Sequence, residues 1–134
     1  DGTVMSRNPR ENMFQLVQHK VLTVKENIAN IQAFFDIIKK HNPDFKLIIS
    51  VSPVPFLATG RADEHHIITA NSHSKAVLLV AAHELVENNA DMYYLPSYEL
   101  VTQCAEDAWC DDHRHVKTDV VERVVKMFEE IFVK

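Results

Sequence analysis

The chain has 134 residues, 46% hydrophobic, 25% charged and 8% aromatic, proportions that fit one ordinary globular domain and exclude a disordered polymer. A formal net charge of -5, with no basic stripe interleaved with aromatics, argues against nucleic acid as a partner. The longest apolar runs, Leu47 to Val51 and Ala76 to Ala82, are too short to cross a bilayer.

Residues 1–22 open with DGTVMSRNPREN, which is polar and has neither the basic start nor the apolar core of a secretory signal. They read as the broken edge of a larger domain, with residues 23–134 as a partial α/β unit. From Thr23 to His41, Val24, Ile28, Ile31, Phe35 and Ile38 recur at helical spacing, and Thr23 with Glu26 makes a capping-box start. Asn42-Pro43 stops that helix, and FKLIISVSP then reads as a buried strand closed by Pro53. A long irregular stretch, PVPFLATGRADEHHIITANSHSK, follows; loops of that length in compact domains are usually functional or disordered.

Ser72 or Ser74 is the expected cap of the next helix, which runs to Asn88-Asn89 with Val77, Val80, Ala81 and Leu85 facing inward. DMYYLPS reads as a second strand. Ser97 then caps a helix to Asp107 with Leu100, Val101, Cys104 and Ala108 on one side, and Thr118 to Phe132 forms a last helix with a stripe of Val121, Val124, Val125, Phe128 and Phe132. This alternation predicts a doubly wound α/β fold with a parallel sheet. Two strands leave a sheet edge to be covered, so the chain is expected to self-associate or to join an N-terminal part of a larger domain. Cys104 and Cys110, the only cysteines, fit neither a C-x-x-C motif nor a disulfide framework; reduced thiols in a cytoplasmic protein are the expectation.

Titratable chemistry concentrates in the loop WCDDHRHVK, residues 109–117. Asp112 and His115 are three apart, so on one turn the carboxylate can reach the ring Nδ1–H, fix the tautomer and stabilise an imidazolium. His113 and His115 also form an H-x-H pair that could join Asp111 or Asp112 around a metal, if the fold brought His65, His66 or His73 over. The plainest reading is a solvated helix entrance, with Asp119 complementing the helix dipole and Asp111, His113 and Arg114 as solvated neighbours. Spacing alone leaves all three open. His19, His41 and His83 read as surface or interface groups.

A nucleophile is harder to find. There is no G-x-S-x-G elbow, and Ser50, Ser52, Ser72 and Ser74 lack glycine-rich surroundings for a strained turn and oxyanion hole. Ser52, directly after the first strand, is the remaining candidate, as a substrate-binding position, although Ser-Pro at a strand end also simply reverses the chain.

Four blocks in order, IISVSPVPFLAT, NSHSKAVLLVAAHEL, YYLPSYELV and DDHRHVK, together resemble the C-terminal half of GSCFA-domain proteins, a branch of the SGNH or GDSL esterase-like superfamily. The resemblance covers roughly Asn27 to Phe132. It implies a flavodoxin-like three-layer α/β/α sandwich and an ester hydrolase or acyltransferase acting on a small-molecule or glycan ester, with Asp112 and His115 matching the superfamily's Asp-x-x-His pair. The Gly-Ser-Cys-Phe-Ala stretch that supplies the family's serine nucleophile is absent, the upstream asparagine block has no clear counterpart, and Val116 stands where proline is common. The expectation is therefore a fragment without hydrolytic activity of its own, from an enzyme needing no cofactor and no metal. The competing expectation is a non-catalytic binding or assembly module that presents Tyr93, Tyr94 and Tyr98 to a partner.

Overall fold

The computed structural model describes residues 15–133. Its elements are helix α1 (Val24–His41), strand β1 (Leu47–Ile49), helix α2 (Ile67–Asn88), strand β2 (Met92–Tyr94), a helical segment α3 (Ser97–Glu99) that widens into a π-helical turn over Leu100–Cys104, and helix α4 (Thr118–Phe132).

Helix α1 begins as its capping box dictates. Thr23 Oγ1 accepts from the Glu26 N–H at 3.2 Å, and Glu26 Oε2 accepts from the Thr23 N–H at 2.9 Å. Its inward stripe closes on Phe35, while Phe34 and Ile37 stay exposed. At the other end the Asn42 N–H donates to Ile38 O, and Pro43 holds Asn42 extended.

The two strands pair in parallel, with Leu47 beside Met92, Ile48 beside Tyr93 and Ile49 beside Tyr94, and α2 forms the crossover that such pairing requires. Both strands are shorter than the apolar runs suggest. Past Ile49 the chain is diverted: the Leu95 N–H donates to Ile49 O and the Ser50 and Ser97 hydroxyls bond at 2.8 Å. Side chains alternate across the pair. Met92 packs with Phe35 and Leu85, joined by Leu47 and Ile49. Tyr93 points the other way, against Phe132 of α4 at 5.7 Å.

Several local expectations are overturned. Helix α2 starts at Ile67, not at Ser72 or Ser74, because His66 caps it, its Nδ1 accepting from the Ile68 N–H. The helical period simply continues upstream through Ala70, which is buried. Val80 faces solvent. Ser97 is the first residue of its helix, not the cap; its hydroxyl is buried and bonded to Ser50 and Val51 O. That helix ends at Cys104, which is exposed. Finally, the inward stripe of α4 is displaced in part: Val124, Phe128 and Phe132 are half-buried as expected, but Val120, fully buried with Val101 and Ala108, stands in for Val121 and Val125, which are about half exposed. This second small core sits under the residue 105–117 loop.

The fold class is thus mixed α/β, with a two-stranded parallel sheet. No helix among the described residues is long and apolar enough to cross a membrane.

Candidate active site

The residue 105–117 loop is built like a short hairpin. Trp109 and Val116 form an isolated antiparallel bridge. Either side of it, the Cys110 N–H donates to His115 O and the Lys117 N–H to Ala108 O, both at 2.8 Å. Inside, the His113 N–H donates to Cys110 O, closing a four-residue turn, and His113 takes φ of 53°. That is the left-handed region, which a residue with a Cβ enters only when its surroundings hold it there.

Asp112 sits inside this turn and organises it. Its Oδ1 accepts from the backbone N–H groups of Arg114 at 3.0 Å and His115 at 2.9 Å, and its Oδ2 is hydrogen bonded to His115 Nδ1. Bonds from the backbone and ring of His115, then from the Arg114 backbone, all favour the charged carboxylate and hold its pKa down at about 2. A charged carboxylate at Nδ1 selects the tautomer with the proton on Nδ1 and leaves Nε2 as the free acceptor. The His115 side chain is 68% exposed, so Nε2 is open to a reacting group.

The other residues of the loop divide. Asp111 and His113 are exposed, as expected of solvated neighbours. Arg114 is not: its Nε is enclosed without a hydrogen-bond partner, the single such side-chain atom among the described residues. The sequence gives no signal for this, since Arg in a polar loop is ordinarily solvated. Lys117 pairs with Asp107, and Asp119 with Arg123 at 3.6 Å, as a helix entrance would.

The metal alternative finds no geometry. Among the described residues no three His, Cys, Asp or Glu side chains converge; His66 is occupied as the α2 cap and His65 lies beside Glu64. Ser52 is exposed, and its Oγ accepts from the Val54 N–H at 3.3 Å, as in a local Ser-Pro turn. Among the described residues it has no hydrogen bond to Asp112 or His115. Ser50 and Ser97, by contrast, join the exit of β1 to the start of α3, a connection that sequence spacing does not reveal. A hollow of about 540 Å³ lies elsewhere, lined by His19, Arg61, Glu64 and His73 among others and by no residue of the 105–117 loop.

The family model of the GSCFA family matches residues 2–128, which takes in most of the polar segment upstream of the four blocks. No curated protein and no solved structure matches the chain.

Proposed function

The chain belongs to the GSCFA family, and on that premise we propose that it carries the acid–histidine half of an SGNH-type serine esterase or acyltransferase site. The observation that carries this reading is the Asp112–His115 pair: a carboxylate locked in its charged form, bonded to Nδ1 of a histidine whose Nε2 is open. In this role His115 removes the proton from a serine hydroxyl as it attacks an ester carbonyl and returns it to the leaving alcohol, while Asp112 orients the ring and stabilises the imidazolium. With water as the second acceptor the outcome is hydrolysis; with a sugar or other hydroxyl it is acyl transfer.

Ser50 is bonded to Ser97, and Ser52 to its own turn. We take the nucleophile in this reading to be a serine other than these, since among the described residues neither Ser50 nor Ser52 is hydrogen bonded to His115. The strand pair would then be part of a wider parallel sheet in a three-layer sandwich, which the opposite facing of Met92 and Tyr93 toward helices supports. Acylated glycans are the proposed substrates.

The test uses the full-length protein and an activated acetyl ester such as p-nitrophenyl acetate, together with a fluorophosphonate probe for an activated serine. His115→Ala should reduce turnover by about a thousandfold or more and abolish probe labelling. Unchanged labelling in that variant defeats the proposal. The exposure of the pair also suits a second reading, a binding module in which Asp112 merely shapes a recognition loop; it predicts no probe labelling in the wild type.

A further inference from the structure

Between the segment that precedes α1, the loop that leaves β1 and one face of α2 lie two adjoining hollows of about 540 and 230 Å³. They share His19, Arg61 and Val77, and no residue of the 105–117 loop lines either. Their linings differ in kind. The larger adds Glu64 and His73, so that nitrogen-bearing side chains from three separate segments face it. The smaller adds Phe56, Ala70 and Leu78. A few polar groups beside an apolar recess are what small-molecule sites are made of, and the larger volume lies within their usual range of about 300–1,000 Å³.

The walls are held by specific contacts. Arg61 O accepts from the Glu64 and His65 N–H groups at 3.0 and 2.9 Å, and the Arg61 N–H donates to Thr59 Oγ1 at 3.2 Å. The same loop is tied to α2 where Asn71 Oδ1 accepts the Phe56 N–H at 3.2 Å. Opposite, the loop meets His19 closely: a Cβ on Gly60 would stand 2.8 Å from Cγ and Cδ2 of that ring, an approach that glycine permits. The Arg61 side chain is 22% exposed, and among the described residues its guanidinium makes one hydrogen bond, from Nε to Glu64 Oε2 at 3.4 Å. That is long for a charge-assisted bond and engages one of the five N–H donors of the fork. We propose that the two hollows together bind a small amphipathic carboxylate. Its carboxylate sits on the Arg61 guanidinium with His19 and His73 beside it, and its apolar tail runs toward Phe56, Ala70 and Leu78. A bare oxyanion would leave the recess unfilled, and an uncharged apolar molecule would give the guanidinium no acceptor. The site is separate from the Asp112–His115 pair, and the inference does not rest on the catalytic reading.

The experiment titrates the full-length protein with hexanoate, acetate, 1-hexanol and inorganic phosphate at equal ionic strength. Binding is followed by NMR, through the ring resonances of His73 and the methyl resonances of Ala70 and Leu78. Hexanoate should shift both sets saturably along one curve and bind about tenfold or more tightly than each of the other three probes. Arg61→Gln should weaken hexanoate by about tenfold or more, to the level of 1-hexanol. Gly60→Ala, which forces the His19 ring away from the loop, should weaken it as well. His115→Ala should bind hexanoate as the wild type does, so failure of this site and failure of the catalytic pair are separately visible. Equal affinity for hexanoate and 1-hexanol, preference for phosphate, shifts that do not saturate, or unchanged binding in Arg61→Gln overturns the proposal. If Arg61→Gln does not fold, the comparison of the four probes on the wild type decides.

Discussion

Asp112→Asn is the sharpest perturbation of the candidate site, because it keeps the shape of the residue and removes one function. The Oδ1 position can still accept from the Arg114 and His115 N–H groups, now 3.0 and 2.9 Å away, so the turn should survive. The atom facing His115 Nδ1, however, becomes an NH2 donor when Oδ1 is kept as the acceptor. Two donors cannot share that contact, so the ring must move its proton to Nε2, where it can no longer accept one from a hydroxyl. A histidine in the wrong tautomer loses most of its action as a base, and kcat/KM should fall by about 10²- to 10⁴-fold. The assay is ester turnover by the full-length protein, accompanied by 15N shifts of the His115 ring to read the tautomer. The pH dependence has a defined sign. The Asp112 carboxyl has its pKa lowered from an ordinary 3.8 to about 2, so its contribution to loop order is present above about pH 4 and lost as the pH falls through about 2. Asparagine does not titrate, so the difference between wild type and variant should fade across that window. If Asp112→Asn retains kcat/KM within twofold while His115→Ala is inactive, the carboxylate is only a turn former.

The displaced stripe of α4 gives a paired test: Val120→Ala should destabilise by about 2 kcal/mol and lower Tm by about 6–10 °C, whereas Val121→Ala, at a 45% exposed position, should stay within about 0.5 kcal/mol. Equal effects would restore the stripe expected from spacing. Ser97→Ala removes a buried hydroxyl bonded to both Ser50 Oγ and Val51 O and should cost about 1–2 kcal/mol in denaturant unfolding; Ser50→Ala, which leaves the Ser97–Val51 bond in place, should cost less.

What can be read from the sequence follows from how local each signal is. The start of α1 is legible because Thr23 and Glu26 complete their cap within four residues. The Asp112–His115 contact is legible for the same reason, a three-residue reach. The start of α2 is hidden because serine is the more familiar cap; the histidine that does the capping bonds through a ring nitrogen that spacing rules overlook. The α4 stripe is ambiguous because Val120, Val121, Val124 and Val125 offer two overlapping apolar faces. Only contact with Val101 and Ala108 selects between them. The position of Ser97 escapes local rules because its partners, Ser50 and Val51, lie 47 and 46 residues away.

The two small cores also support different parts of the molecule. The cluster of Phe35, Leu85 and Met92 joins α1, α2 and β2, and its burial accounts for the α/β layer. The cluster of Val101, Ala108 and Val120 instead grips both flanks of the 105–117 loop, with Trp109 and Val116 packed against it. Here the bridge and the Asp112 Oδ1 bonds hold the backbone around His115, and Asp112 Oδ2 alone bonds its ring. Fixing a base in advance lowers the reorganisation left for the reaction itself. In the proposed role, loss of the Val120 packing beneath the loop is a means of impairing His115.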